Sequence, residues 1–456
     1  MERVSGDVVP LREAAKVWAR VAAFSFGGPA GQIAVMHRIL VDEKKWIGEA
    51  RFLHALNYCV LLPGPEAHKL AIYIGWLLNR TRGGVLAGLF FVLPGLVSLW
   101  ALSMAYTLYG HIGAVAAIFF GLKAAVLAIV LDAVVRIGRR ALKSQGLVLL
   151  AAASFVGIFF FGLPFPLIVL SAGLAGLAGG RFAPALFKSG GHGAAGKDSE
   201  GLIDRQFAHR VPEHVRPSAA RLVKVTLLWG GIWLAPLLVL WLWLGPRNVL
   251  TAVSLFNSKM AVVSFGGAYA VLAYMAQQAV EFYHWLKPGE MLVGLGFAET
   301  TPGPLISVVQ FVGFMAAFRE PGALSPVLAG TVGGMLAMWA TFVPPFLWVF
   351  MGGPYMEALI GNRSLHAALS GITAAVVGVI LNLALWLALH ALFDQVEVSQ
   401  HFGLILNLPV WNSINWAAAV IAAAAILAVF VLRLGVFAVL AGACIAGLVA
   451  YAFHLT

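Results

Sequence analysis

Two apolar stretches of this chain carry adjacent glycines behind a serine and a phenylalanine. Residues 25–36 read SFGGPAGQIAVM, and residues 264–275 read SFGGAYAVLAYM. Glycine adopts backbone conformations closed to other residues, and proline removes an N–H donor, so both favour a break between half-helices. A half-helix that begins there presents unpaired N–H groups and a partial positive charge, which together bind anions. The alternative is close packing between helices. The candidate residues of these motifs are Ser25, Gly27, Gly28, Ser264, Gly266 and Gly267.

A second pair of motifs repeats the pattern with prolines. Residues 63–65 and 302–304 both read Pro-Gly-Pro, with an acidic residue close to each. A carboxylate beside an anion site repels the anion when charged and admits it when protonated, so coupling to protons is a hypothesis. The alternative for Glu66 is that it caps the N-terminus of a half-helix, where acidic residues are favoured. The candidates here are Gly64, Glu66, Glu299, Thr300, Thr301 and Gly303.

Three cationic side chains lie in or next to apolar segments. Lys123 is in the middle of FFGLKAAVLAI, where a single positive charge attracts an anionic partner or substrate. Arg20 and Lys259 each precede a Ser-Phe-Gly-Gly motif by five residues, which supplies two matched cations suited to a dianion. The alternatives are interfacial anchoring for Arg20 and Lys259, and an ion pair with Asp132 for Lys123.

The elements that must position these residues are membrane helices. Of the 456 residues, 61% are hydrophobic and 11% are charged, whereas soluble domains are about half apolar and about a quarter charged. Residues 85–109, 112–135 and 225–244 are each long enough to cross a hydrocarbon core of about 30 Å. Cys59 and Cys444 lie in apolar segments and suit neither a disulfide nor a metal site. With no Walker loop and no Gly-x-Ser-x-Gly motif, we expect no cofactor and no enzyme.

The net charge of +11 is concentrated in the first half of the chain. Of the 30 Lys and Arg residues, 24 lie before residue 225, in clusters between apolar segments. Cytoplasmic loops of membrane proteins carry such an excess of positive charge. We therefore expect the lipid bilayer, and no nucleic acid, as a partner. The same rule predicts that the N-terminus and the segment 181–224 are cytoplasmic.

The motifs belong to an internal repeat. An offset of 239 residues aligns the two Ser-Phe-Gly-Gly motifs, Trp46 with Trp285, and one Pro-Gly-Pro with the other. Further along, GLKAAVLAIVLD at 121–132 aligns with GITAAVVGVILN at 371–382 at an offset of 250. Four matches in the same order predict two copies of one membrane unit.

The positions of the basic loops predict that the two copies are inverted. If residues 17–36 and 52–78 are re-entrant hairpins broken at their glycine and proline motifs, the basic loops of the first copy stay inside. Residues 225–244 are then one extra crossing, which carries the chain outside before the second copy begins. The loop at 278–290 carries one lysine, whereas residues 37–51 carry four Lys or Arg.

The predicted fold class is an all-α polytopic membrane protein of two inverted repeats, joined by an extra transmembrane helix. Each repeat has two broken re-entrant hairpins and about four crossings, and inverted repeats are common in transporters. The first-copy crossings are expected at about 84–109, 112–135, 146–161 and 166–180. The predicted domains are the first repeat at 1–180, a flexible basic linker at 181–224, the connecting helix at 225–245 and the second repeat at 246–456.

Four segments together resemble the two-domain chromate ion transporter family. They are FSFGGPAGQIAVMHRILVDEKKWI, LLPGPEAHKLAIYIGW, SFGGAYAVLAYMAQQAVE and GFAETTPGPLISVVQFVGF. The positions that match the family pattern are Phe26 to Pro29, Pro63 to Glu66, Gly121 to Lys123, Thr301 to Pro304, Arg20 and Lys259. The chain departs from the pattern at His68 and Lys69, where relatives often carry uncharged polar residues.

The resemblance implies export of chromate from the bacterial cytoplasm across the inner membrane, and hence chromate resistance. Sulfate is the structural analogue of chromate, so a transporter of sulfate or another oxyanion is an alternative. An anion channel is a second alternative, because re-entrant hairpins occur in channels as well as in carriers. The sequence does not decide whether a second copy of the chain is a partner in a homodimer.

Overall fold

A computed structural model describes residues 8–183, 200–209, 212–265, 268–356, 363–401 and 404–454 of the chain. Within these residues the chain is almost entirely helical. The α-helices are α1 (Leu11–Phe24), α2 (Gly28–His37), α3 (Glu49–Leu61), α4 (Glu66–Tyr109), α5 (Gly113–Ala141), α6 (Gln145–Phe161), α7 (Phe165–Phe182), α8 (Leu202–His209), α9 (Ala219–Leu244), α10 (Val249–Val263), α11 (Ala268–Gln277), α12 (Glu290–Thr300), α13 (Val308–Arg319), α14 (Pro326–Phe342), α15 (Pro344–Gly352), α16 (Arg363–Leu392), α17 (Trp416–Phe430) and α18 (Val436–Ala452).

Long apolar helices dominate the described residues. Among them, six helical segments are long and apolar enough to cross a membrane. These segments are Glu66–Tyr109, Gly113–Ala141, Phe165–Phe182, Ala219–Leu244, Pro326–Tyr355 and Ser364–Leu392. The expectation of an all-α polytopic membrane protein is confirmed at this level.

Helices end and begin at the glycine and proline motifs. Helix α1 ends at Phe24, and α2 begins at Gly28 after a left-handed Gly27 with φ of 78°. Helix α3 ends at Leu61, and α4 begins at Glu66 directly after the first Pro-Gly-Pro. Because glycine alone tolerates these backbone angles without strain, the breaks are encoded locally.

Corresponding backbone features recur at the offset of 239 residues. A π-helical turn at Arg38–Glu43 has its counterpart at Gln278–Phe282. Two non-glycine residues with positive φ, Lys45 at 51° and His284 at 54°, are also separated by 239 residues. The two halves therefore share local backbone geometry as well as sequence motifs.

Helix α4 contains a sharp internal break. Non-helical backbone angles at Asn79 and Arg80 divide it into a short first part and a long second part. The side-chain amide of Asn79 donates to the carbonyl of Val9, and the N–H of Val8 donates to Leu78 O at 2.8 Å. The break lies directly after residue 78, the last residue of the segment 52–78; that this segment is a re-entrant hairpin stays a prediction.

One segment of the second half differs from the expectation of helical crossings. Strands β1 (Val396–His401) and β2 (Leu404–Pro409) form an antiparallel hairpin in which Val396 pairs with Pro409. At the offset of 250 residues this hairpin occupies the place of α6. The residues VEVS at the start of β1 alternate apolar and polar, a period that favours a strand over a membrane helix.

The linker predicted to be flexible contains an ordered, anchored helix. The Asp204 carboxylate of α8 accepts hydrogen bonds from Gly48 N at 2.7 Å and from Arg51 Nε at 2.5 Å. Ile203 is fully buried, and its N–H donates to Trp46 O at 2.9 Å. Residues 202–209 are therefore docked on the loop before α3, because these long-range contacts offset the low apolar content of the segment.

Contacts divide the chain into two compact units. The first unit comprises Met1–Leu99, Gly191–Ala268 and Thr301–His366, and the second comprises Trp100–Gly190, Tyr269–Thr300 and Ala367–Thr456. Each unit therefore takes segments from both predicted repeats. In the first unit, α13 packs on α14; in the second unit, α5 packs against α12, α17 and α18.

Candidate anion site

The starts of four helices line one small pocket in the first unit. They are the starts of α2, α4, α11 and the helical segment Leu305–Arg319. The lining residues are Pro29, Gln32, Pro65, Glu66, Ala67, Ala268, Pro304, Leu305 and Ile306. The first N–H groups of a helix have no intrahelical partner and carry a partial positive charge, so four helix starts around one pocket favour an anion.

The lining is made almost entirely of pairs that correspond at the 239-residue offset. Pro29 corresponds to Ala268, Pro65 to Pro304, Glu66 to Leu305 and Ala67 to Ile306; these positions and Gln32 make up the whole lining. The two halves thus contribute the same backbone segments to one pocket, although the side chains differ.

Two backbone hydrogen bonds cross between the halves beside this pocket. Gly64 N donates to Ser264 O at 2.9 Å, and Gly303 N donates to Ser25 O at 2.9 Å. Each Pro-Gly-Pro glycine is therefore held by the serine of the other half. These four predicted residues lie together, but the N–H groups of Gly64 and Gly303 already have backbone partners, so they are not available to a ligand.

The serine hydroxyls donate hydrogen bonds to carbonyls of the helices that they follow. Ser25 Oγ donates to Val21 O at 2.6 Å, and Ser264 Oγ donates to Ala261 O at 3.3 Å. These bonds satisfy carbonyls at the ends of α1 and α10, which have no intrahelical donor. The predicted serines thus shape the breaks through their backbone and side chain together.

Gln32 is a pocket residue that the sequence prediction missed. Its side chain is 1% exposed, and its Nε2 donates to Gly303 O at 2.6 Å. The available signal was an amide in an otherwise apolar half-helix, because a buried polar side chain requires a partner. Gln32 corresponds to Val271, so this polar group comes from the first half only.

Charges at the start of α4 are arranged as a compact pair. Glu66 lines the pocket, and Lys69, one turn further along, is only 1% exposed. The Lys69 ammonium donates to Leu62 O, directly after the end of α3, and interacts electrostatically with Glu66. The departure from the family pattern at Lys69 therefore places a buried positive charge close to the pocket.

His68 lies beside this pair but is enclosed by aromatic rings. Its ring is fully buried, with Phe342 at 5.1 Å and Phe346 at 5.4 Å between ring centroids, both edge-on. All three residues belong to the first unit. His68 thus packs α4 against α14 and α15 and is not among the residues that line the pocket.

Two of the predicted cations lie at the surface of the first unit. Arg20 pairs with Glu43 at 2.7 Å, with its side chain 47% exposed. Lys259 is exposed as well. Neither residue lines the pocket, and interfacial anchoring stays the alternative for both.

The predicted cation Lys123 belongs to the second unit, as do the candidates Glu299 and Thr300. Lys123 is half-buried on α5 and interacts electrostatically with Glu290, at the start of α12. Asp132, the alternative partner of Lys123, instead pairs with Arg136 at 3.1 Å. The carboxylate that interacts with Lys123 is therefore Glu290, on α12. The ion pair between Lys123 and Asp132, which was the alternative, is not observed.

The residues before the second Pro-Gly-Pro separate into different environments. Glu299 is buried and accepts a hydrogen bond from Tyr269 Oη at 2.7 Å. Thr300 Oγ1 donates to Gly296 O at 2.9 Å, whereas Thr301 is buried in the first unit. The predicted Gly266 and Gly267 lie outside the described residues.

Comparison with known proteins agrees with these motifs. A family model described as chromate transporter matches residues 12–177 and 251–448. The chain belongs to the chromate transporter family. The two matched segments of this family begin 239 residues apart, the offset that aligns the motifs.

Individual relatives match either most of the chain or about a third of it. The chain is 31% identical to a chromate transport protein of Pseudomonas aeruginosa over 82% of its length and 80% of the relative. It is 26% identical to a chromate transport protein of Cupriavidus metallidurans over 84% of both chains. An uncharacterized transporter of Bacillus subtilis matches at 31% identity over 34% of this chain and 76% of its own. No solved structure matches the chain significantly.

Proposed function

We propose that this protein is a secondary transporter that exports chromate from the bacterial cytoplasm and thereby confers chromate resistance. The observation that carries the proposal is the pocket lined by four helix starts from both halves of the chain. Chromate is a small dianion that needs several hydrogen-bond donors on different sides. Helix starts that converge on one pocket supply such donors without a buried cluster of cationic side chains.

The proposed architecture is a pair of inverted repeats whose broken helices are re-entrant hairpins. The reciprocal hydrogen bonds support it: exchanging each residue with its repeat counterpart turns the Gly64–Ser264 bond into the Gly303–Ser25 bond. A two-fold axis has this property. The excess of Lys and Arg in the first half supports an axis in the membrane plane, with the N-terminus and linker cytoplasmic.

Energetics favour export over uptake. Moving one charge across 100 mV is worth about 2.3 kcal/mol. At an inside-negative potential of about 150 mV, a dianion that leaves the cell gains about 7 kcal/mol on this scale. A carrier for chromate therefore exports on potential alone, and protons act as an additional driving or regulating ion.

The test is chromate flux from proteoliposomes under an imposed membrane potential, with sulfate as competitor. We expect saturable, potential-driven chromate movement that sulfate inhibits weakly. Sulfate that is carried in preference to chromate would make the protein a sulfate or general oxyanion transporter. Flux that rises linearly with concentration would make it a channel. No chromate movement by protein that retains its thermal unfolding transition would overturn the proposal.

A further inference from the structure

Two carboxylates at the ends of one helix have contrasting surroundings in the second unit. Glu290 begins α12 and Glu299 lies one residue before its end, and both are buried, at 6% and 4% exposed. Each accepts a tyrosine hydroxyl: Tyr106 Oη lies 3.2 Å from Glu290, and Tyr269 Oη lies 2.7 Å from Glu299. The pair provides an internal comparison.

The negative charge of Glu290 is well compensated. Besides the tyrosine, Glu290 accepts the backbone N–H of Lys287 at 2.7 Å and interacts with the ammonium of Lys123. It also lies at a helix start, where negative charge is favoured.

The surroundings of Glu299 compensate the negative charge of its carboxylate far less than those of Glu290 do. Its hydrogen-bond donor among the described residues is Tyr269, on α11. The charged groups that face it from α5 are Arg136 and Asp132, which pair with each other at 3.1 Å and so present little net charge. Glu299 also lies at a helix end, where negative charge is disfavoured. A buried carboxylate in this position gains stability when it takes up a proton.

The chain connects this pair directly to the anion pocket. Tyr269 is the residue after Ala268, which lines the pocket. Glu299 comes two residues before Thr301, at the start of the break that leads to pocket residue Pro304. The hydrogen bond between Tyr269 and Glu299 thus joins the two segments that enter the pocket from the second half.

We propose that Glu299 is a proton-binding site whose protonation state controls anion transport, with Tyr269 as the residue that positions its carboxylate. The inference rests on the proposed function. The proton comes from water and returns to water, so only a carboxyl O–H bond forms and breaks. When Glu299 is ionised, Tyr269 donates a charge-assisted hydrogen bond to it and holds α11 to α12. When Glu299 is protonated, this becomes a weaker, neutral hydrogen bond, and the two segments are held together less tightly.

The site belongs to the second half alone. Tyr269 corresponds to Ala30, and Glu299 corresponds to Val60, neither of which can exchange a proton. Each chain therefore carries one such site, although the backbone around the pocket is duplicated. This assignment moves Glu299 from the predicted anion ligands to a controlling role.

The first experiment observes the proton without requiring transport. Infrared difference spectra of the full-length protein in lipid vesicles are recorded during a pH titration, for the wild type, Glu299→Gln and Glu290→Gln. The other carboxyl groups of the chain also contribute to the protonated carboxyl band, so the comparison is between spectra. We expect a component of this band that titrates in the wild type and Glu290→Gln but is missing in Glu299→Gln. A carboxyl band that titrates identically in the wild type and Glu299→Gln would overturn the proposal.

The second experiment measures chromate flux against pH in proteoliposomes. We expect Glu299→Gln to flatten the profile. Tyr269→Phe removes a donor from the ionised carboxylate, so its profile should shift to higher pH by about one unit. A wild-type profile in Tyr269→Phe overturns the inference even if Glu299→Gln fails to fold. Absence of chromate flux in the wild type counts against the proposed function, and the infrared result then decides the proton site by itself.

Discussion

Glu66 and Lys69 bring opposite charges to one end of the candidate anion pocket. Glu66→Gln removes a negative charge that repels the anion, so we expect a lower KM for chromate. Lys69→Met removes a buried positive charge, so we expect a higher KM. A change of about 1.4 kcal/mol in each case corresponds to about tenfold in affinity. The measurement is the KM for chromate in proteoliposomes at fixed potential.

A matched control separates local charge from total charge. Lys224 is an exposed lysine at the start of α9 and is not part of the pocket lining. Lys224→Gln removes the same unit of charge as Lys69→Met, and its KM should stay within about twofold, because solvent and salt screen exposed charges. Equal effects of the two substitutions would show that Lys69 does not act on the bound anion.

Gly303 is required for both its backbone angle and its close contact with α4. Its φ is 121°, and a Cβ at this position would lie 3.1 Å from the backbone of Gly95. Gly303→Ala should therefore cost about 1 to 3 kcal/mol of stability. Thermal unfolding in detergent measures this, with Gly230→Ala as control, because a Cβ at helical Gly230 meets nothing within 4 Å. An unchanged melting temperature in Gly303→Ala would contradict the assigned backbone geometry.

Residue types predicted part of the pocket, and long-range contacts decided the rest. Glu66 was predictable because it follows a helix-breaking motif and begins a helix. Gln32 was not singled out, since its partner, Gly303 O, is 271 positions away in the chain. Arg20 was predicted from its repeat spacing, but spacing does not reveal that Glu43 lies within 2.7 Å.

At the scale of elements, α8 acts as a clasp on the start of α3. Asp204 accepts three hydrogen bonds, from Gly48 N, Arg51 Nε and Gly201 N, and Ile203 of α8 is fully buried. Helix α3 then runs from this clasp to the first Pro-Gly-Pro break. Release of α8 should therefore loosen the segment that leads to the pocket.

Asp204→Ala tests the clasp. Loss of charge-assisted hydrogen bonds to Asp204 should free α8, and trypsin should cleave at Arg205 about tenfold faster, which corresponds to about 1.4 kcal/mol. Limited proteolysis of the intact protein in membranes provides the measurement. Glu200→Ala is the control, because Glu200 is exposed and lies outside α8. Equal cleavage rates in the wild type and Asp204→Ala would show that the clasp does not hold α8.

Elements were predictable where local chemistry determines them. Glycine and proline specify where α1 and α3 end and where α2 and α4 begin, and long apolar runs specify the helices that can cross a membrane. The docking of α8 was not predictable, because a basic, glycine-containing stretch is typical of a linker. The contact that docks it joins Asp204 to Arg51, which is distant in the chain. The hairpin of β1 and β2 was missed because repeat symmetry was extended to a segment whose polar alternation breaks it.

At the scale of the whole molecule, opposite orientation of the two repeats is testable by chemical labelling. Lys287→Cys and Lys44→Cys are introduced separately into a background in which Cys59 and Cys444 are replaced by serine. Both lysines are exposed in loops that correspond in the repeat. A membrane-impermeant thiol reagent applied to intact cells should label Lys287→Cys and leave Lys44→Cys unmodified until the cells are opened. Labelling of both, or of Lys44→Cys alone, would refute the inverted arrangement.

The reciprocal bonds between Gly64 and Ser264 and between Gly303 and Ser25 use main-chain atoms only. Such bonds survive substitution of most neighbouring side chains, so after duplication each copy was free to diverge without loss of the shared frame. The outcome is that the two copies carry different polar side chains at corresponding positions. The first copy has the polar pocket residues Gln32 and Glu66, where the second has Val271 and Leu305. The second copy acquired Tyr269 and Glu299, where the first has Ala30 and Val60.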